Sequence, residues 1–166
     1  MEQTFKPEFV RHYSELTDFE AYKQSLIAFA KKSIRMNTLK GIVRGVQRIL
    51  QEQGFILEQV PWCNEGFYVA HDKLLRLSEL QEHRDGLFFI QRSVSMLPAL
   101  ALEPKAGDVV LDMCAAPGAK TTQIAAMMKN EGVLVANESD PSRLKSLYAN
   151  LQRCSILNTV VTQHSG

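Results

Sequence analysis

Cysteine is scarce in this 166-residue chain, and the glycines of the two commonest nucleotide loops are absent. The three cysteines, Cys63, Cys114 and Cys154, are widely spaced and form no CxxC pair. That excludes a disulfide framework and a thiolate zinc site, so no metal is expected. No apolar run reaches the length needed to span a bilayer, and Met1–Lys6 lacks the apolar stretch of a secretory leader, so a cytoplasmic protein is expected. Net charge is only +1, which gives the whole molecule no electrostatic preference. A local imbalance replaces it. Between Ala21 and Gln51 there is no Asp or Glu, yet Lys23, Lys31, Lys32, Arg35, Lys40, Arg44 and Arg48 all fall there. Such a segment reads as a surface facing a polyanion. It reads equally as a solvated face balanced by the upstream acids Glu8, Glu15, Asp18 and Glu20.

Where the chain is rich is residues 109–122. Val109-Val110-Leu111 ends in Asp112, and Met113 to Ala119 are mostly small residues interrupted by Pro117-Gly118. Lys120-Thr121-Thr122 then opens a helix. This is the order of a buried strand, a tight ligand-binding turn and a helix at the mouth of an α/β sheet. A second apolar run, Val133–Asn137, ends in Glu138, 26 positions after Asp112.

The organisation around that turn is two-part. Residues 1–84 read as a small α+β domain. Helices are expected at Phe19–Lys32 and Gly41–Gln53, the latter from Ile42, Val43, Val46, Ile49 and Leu50, with Arg44 and Arg48 on the opposite side. Short strands are expected at 55–57 and 66–70, and Leu74–Glu79 is left open between a strand and a turn. Residues 85–166 alternate strand and helix. Strands are expected at 86–91, 109–113, 133–137 and 159–162, and helices at 93–102 and 121–129. A further helix starts at Asp140-Pro141 and buries Leu144, Leu147, Tyr148 and Leu151. The expected fold is therefore α/β: a partial Rossmann-like βαβαβ sheet preceded by the small domain. Strand 109–113 has no visible neighbour on one side except Leu87–Ile90.

The chemistry of the turn narrows the ligand. A P-loop ATPase needs glycine immediately before its lysine, where Ala119 stands, and the dinucleotide fingerprint needs more than one glycine. Pro117 donates no amide hydrogen, which further impoverishes the loop as a phosphate cradle. Ala115, Ala116, Gly118 and Ala119 instead let a ligand approach the backbone, and Gly118 can adopt positive φ. Asp112 places negative charge where a sulfonium or ammonium could sit. Glu138 can accept from two ribose hydroxyls. These features favour S-adenosylmethionine over a nucleotide phosphate. The competing reading is structural: acids at strand ends act as caps, and small-residue turns serve tight helix–strand packing.

The run Asp112–Thr122 closely resembles motif I of the NOL1/NOP2/Sun family of RNA cytosine-5 methyltransferases. Ile34-Arg35-Met36-Asn37-Thr38-Leu39-Lys40 resembles their R-x-N-T-L-K signature, and Ile90–Met96 resembles their I-Q-x-x-S-S-M segment. Ala136-Asn137-Glu138, Arg143, Asn150 and Arg153 fall where the family has its second motif and the following helix. The resemblance implies that Cys114, Ala115, Ala116, Pro117, Gly118, Ala119 and Lys120 wrap the methionine part of the cofactor while Glu138 holds the ribose. Ser165 occupies a position near the adenine where the family often has Asp. The resemblance also implies that the first domain contacts RNA, ribosomal or transfer, with Arg35, Lys40, Arg44, Arg48 and Arg143 as phosphate contacts. Arg35 could equally tie the small domain to the sheet through an acid.

Cytosine-5 methylation requires a cysteine thiolate that adds to C6 of the base. The family carries that cysteine and its partner in D-A-P-C and T-C-S motifs, and neither motif occurs in this sequence. Small size and burial account for Cys114, and no cysteine here is expected to be catalytic. The chain is therefore expected to supply the RNA-facing domain and the cofactor half-site of such an enzyme, with the catalytic half as a possible separate partner chain. By itself it is expected to be inactive. The alternative is a non-catalytic RNA-binding module derived from such an enzyme.

Overall fold

The computed structural model describes residues 5–27, 31–71 and 76–165. It divides into two compact units, Met1–Lys31 and Lys32–Gly166. The first is a pair of helices, α1 (Pro7–Ser14) and α2 (Phe19–Ile27). Pro7 suits the first turn of α1, where no amide partner is required. Asp18 caps α2, its carboxylate accepting from the amides of Glu20 and Ala21 at 3.0 and 3.2 Å. Tyr22 stacks on Tyr13, ring centroids 4.7 Å apart, and on Phe9, while Phe9 and Tyr13 pack at a tilt. The expected helix Phe19–Lys32 is borne out over Phe19–Ile27. Residues 28–30 lie outside the described residues, and Lys31 and Lys32 are not helical.

The second unit contains two sheets. The first is antiparallel, formed by β1 (Ser33–Met36), β2 (Ile56–Gln59), β3 (Gly66–Ala70) and β4 (Phe88–Ile90) in the order β2-β3-β1-β4. β1 was not anticipated. It occupies an interior position, and all four of its residues are buried. Alternation along the strand sends Ile34 and Met36 into a core with Val46, Leu50, Phe55 and Phe67, while Arg35 emerges on the other face. Helix α3 (Val43–Glu52) covers that core. It buries Val46 and Leu50 but leaves Ile49 exposed, and Ile42, expected in the same stripe, is an extended and exposed residue before the helix. Leu77–Glu79 is a single 3₁₀ turn, followed by the short helix α4 (Gln81–Arg84). β4 pairs with β1, so it does not flank the strand at Val109.

The second sheet is parallel, in the order β5 (Val109–Asp112), β6 (Val133–Asn137), β7 (Thr159–Thr162). The expected helix 93–102 is a 3₁₀ turn at Ser93–Met96 continuing into α5 (Leu97–Leu102). Helices α6 (Ala119–Met127) and α7 (Pro141–Arg153) are the crossovers. Asp140 caps α7, its carboxylate accepting from the Ser142 amide at 2.8 Å. One sheet face is packed: Leu134 with Ala99, Ile124, Ala125 and Met128, and Ala136 with Leu147 and Leu151. Tyr148, expected in the buried stripe of α7, is more than half exposed.

β1 and the loop after it join the two sheets. The Asn37 amide donates at 2.9 Å to the carbonyls of both Gly86 and Cys154, the latter at the end of α7. Gly86 has φ +74°, and a Cβ there would lie 1.9 Å from the Arg153 carbonyl oxygen, so only glycine fits this approach. Arg153 answers by donating to the carbonyls of His83 and Phe88.

Candidate functional site

The parallel register places Asp112 opposite Ala136, so β5 and β6 end side by side and their carboxylates flank one loop. Asp112 is 9% exposed and accepts from the Thr121 hydroxyl at 2.7 Å. Glu138 is 3% exposed. One of its oxygens accepts from the Asp140 amide at 3.1 Å. The other accepts from the Ala116 amide at 3.3 Å and faces the Arg143 guanidinium at 3.1 Å. Each carboxylate offers about four lone-pair sites, so both retain acceptor capacity toward a ligand amine or hydroxyl.

Between them runs the small-residue loop. Ala115 and Ala116 are buried, Cys114 and Pro117 are exposed, and Ala119 and Lys120 are half-buried. Gly118 has φ +104° and a Cβ there would press on Leu147 at 3.3 Å, so the turn into α6 requires glycine. No side chain caps α6. Its first-turn amides have no acceptor within the helix and carry the positive end of the helix dipole. The site therefore combines two carboxylates with an uncapped helix start, a set that fits a ligand carrying an ammonium, a carboxylate and a ribose.

Helix α7 holds the loop from one side. Arg143 donates to the Ala116 carbonyl, and Asn150, two turns further, donates to the Pro117 carbonyl at 2.8 Å. Asn137 holds it from the other side. Its amide donates to the Met113 and His164 carbonyls at 3.2 and 3.0 Å, tying the loop after β5 to the segment after β7. Ser165 follows directly and is exposed. The resemblance singles out Asn137, Arg143 and Asn150 by position, but their roles in holding the loop do not follow from it. The available signal was an amide side chain ending an apolar strand and a polar pair two turns apart on α7.

The family model for the N-terminal domain of 16S rRNA methyltransferase RsmF matches residues 5–93, and that for 16S rRNA methyltransferase RsmB/F matches 99–166. The chain belongs to the RsmF family. It is 48% identical over 139 residues to ribosomal RNA small subunit methyltransferase F of Vibrio parahaemolyticus, covering 82% of this chain and 29% of that protein. The corresponding Pectobacterium carotovorum protein is 49% identical over 140 residues, with the same coverage. The chain thus spans less than a third of these relatives' length. Among solved structures, a methyltransferase homolog from Pyrococcus horikoshii is 31% identical, with a TM-score of 0.82 over 97% of this chain and 57% of that one. NSun6 of the same organism, solved with SFG, shares the fold at TM-score 0.88 and 23% identity, covering 97% and 66%. The Sun-type resemblance and the Rossmann-like sheet read from motif I are met by these findings.

Within this RsmF-family chain, the residues proposed for RNA contact separate. Arg44 and Arg48 are exposed on α3, and Arg48 pairs with Glu52 at 2.8 Å. Lys40 is exposed and donates to the Asp85 carbonyl at 2.7 Å. Arg143 is half-exposed and engaged at the loop. Arg35 is corrected: it is 2% exposed and unavailable to a phosphate backbone. It does tie the antiparallel sheet to α6, but through carbonyl, amide and hydroxyl oxygens in place of an acid. Burial strips its guanidinium of solvent and lowers its pKa to about 10, so it remains charged at neutral pH. Cys114 is also corrected, being exposed in the loop where burial was expected. Cys63 and Cys154 are buried, and burial pushes both thiols up, away from thiolate reactivity. Among the described residues no His, Cys, Asp and Glu group could hold a metal ion.

Proposed function

We propose that this chain is the RNA-facing and cofactor-binding part of an rRNA (cytosine-5) methyltransferase that uses S-adenosylmethionine. The observation that carries the reading is the pairing of Asp112 and Glu138 at adjacent parallel strand ends around the loop 113–120. When bound, the cofactor supplies an electrophilic methyl group on a sulfonium. Asp112 then faces the amino end of its methionine, and the first-turn amides of α6 face its carboxylate. Glu138, oriented by Arg143 and the Ala116 amide, holds the ribose hydroxyls, and the segment at Ser165 borders the adenine. Residues 1–84 supply the RNA contacts, chiefly Lys40, Arg44 and Arg48; β4 completes their sheet, so the methyltransferase domain begins after Ile90 in place of residue 85. The sequence contains neither cysteine motif needed to activate cytosine. The chain alone is therefore inactive and requires a catalytic half, as a separate chain or otherwise.

Calorimetric titration with S-adenosylhomocysteine tests this. The wild-type chain should bind, and Asp112→Ala should weaken binding by removing the carboxylate, with RNA affinity unchanged. RNA binding without any response to the ligand at millimolar concentration would favour the non-catalytic RNA-binding module. Methyl transfer to cytosine by the purified chain would refute the division of labour.

A further inference from the structure

Three sequence signatures that lie far apart in the chain meet in one buried polar network. Arg35 of β1 donates to the Gln91 side-chain oxygen at 2.6 Å, to the Ala119 carbonyl at 2.8 Å and to the Thr122 hydroxyl at 2.9 Å. The Gln91 amide donates to Gln123 at 3.0 Å, and the Gln123 amide donates to the Met96 carbonyl at 3.0 Å. Ser33 closes the network by donating to the Gln91 carbonyl at 2.6 Å. All five side chains are less than 5% exposed. Arg35 lies 5.7 Å from the Phe89 ring centroid, and its Nε has no partner.

The energetics speak against a role in stability alone. A buried guanidinium whose hydrogen bonds all go to neutral oxygens carries a desolvation cost that the Glu65 carboxylate offsets only in part. It also grips the first turn of α6, where a cation opposes the helix dipole. The guanidinium's charge makes the site more positive, and α6 starts directly after the loop. The same charge that disfavours the helix start favours an anionic group placed at its first-turn amides.

We propose that Arg35 is a positioning residue for the cofactor. From β1, it fixes the first helical turn of α6 and adds positive potential where the cofactor's methionine carboxylate docks. Gln91, Gln123 and Thr122 hold Arg35 in place. This rests on the cofactor reading above, and it divides the cofactor by chemistry: the amino-acid end depends on Arg35, and the adenosine end, held by Glu138, does not.

The test compares two probes by calorimetry on the full chain. S-adenosylhomocysteine carries the amino-acid end, and 5′-methylthioadenosine lacks it. Arg35→Met should lower affinity for the first by about tenfold, the scale of one charge-assisted contact, and leave the second within about twofold. Arg35→Lys should recover part of the loss. Thr122→Val, which keeps α6 and removes one acceptor, should shift the same ratio in the same direction and decides the matter if Arg35→Met does not fold. Equal loss for both probes, or loss for neither, overturns the role of Arg35 while leaving the cofactor reading standing. A wild-type chain that binds neither probe overturns both.

Discussion

Single residues in this protein are set by what surrounds them more than by their type. Arg35 and Arg44 lie nine positions apart in one basic segment, yet the first is enclosed between the antiparallel sheet and α6 and the second is exposed on a helix. His83 shows the same dependence in its titration. It packs on Phe88 with ring centroids 5.5 Å apart and lies near the Arg153 guanidinium. Partial burial and then the Arg153 charge hold its pKa below the ordinary histidine value. The folded state therefore disfavours the imidazolium that the unfolded chain accepts freely. Stability from this group is complete above the unfolded pKa near 6.5. It falls as pH drops through that value toward the lower folded pKa. Chemical denaturation at pH 7.5 and 5.5 should show a loss at the lower pH that His83→Gln reduces. An unchanged difference between the two pH values would remove His83 as its source.

At the scale of elements, what could be read ahead of the structure was whatever is local. The strand ending in Asp112, the glycine at 118 and the cap at Asp140 each declare themselves within a few residues, because turn and capping chemistry act over that range. β1 did not. Its four residues, Ser-Ile-Arg-Met, alternate polar and apolar, but over too short a run to mark an interior strand, and the burial of Arg35 depends on partners 56 and 87 positions away. Nor did the exposure of Ile49 and Tyr148 follow from helical spacing, which fixes a face but not what covers it. α3 is the element on which the RNA proposal can be checked. It presents Arg44 and Arg48 one turn apart, and the exposed Arg48–Glu52 pair is too weak to withhold Arg48 from a phosphate. Replacing both arginines by Ala should lower affinity for 16S rRNA fragments and reduce the salt slope by up to about two counterions. A slope that does not move returns these residues to a solvated face.

Beyond single elements, the parallel sheet of the larger unit has two unlike faces. Helices α5, α6 and α7 pack against one face of the parallel sheet through Leu134, Ala136 and their neighbours. The register aligns Val109 with Val133, Leu111 with Val135, and Val135 with Val160, so these five share the opposite face. Val109 is 79% exposed there, Leu111 57%, Val160 56% and Val133 42%. A parallel sheet is ordinarily covered on both faces, and a contiguous apolar surface of this kind drives association. β5 and β7 also leave their outer edges unpaired among the described residues, which adds strand pairing as a second route. The isolated chain should therefore bind a hydrophobic dye such as ANS and self-associate with rising concentration. Val109→Lys with Val160→Lys should suppress both without lowering the melting temperature, because each residue sits on an edge strand and contributes little to the packed face. Leu134→Ala, on the packed face, should instead cost about 2–5 kcal/mol and leave dye binding by the native state in place. Sedimentation across a concentration series, read beside dye fluorescence, separates these outcomes. A monodisperse monomer that takes up no dye would mean the second face of the sheet is covered after all.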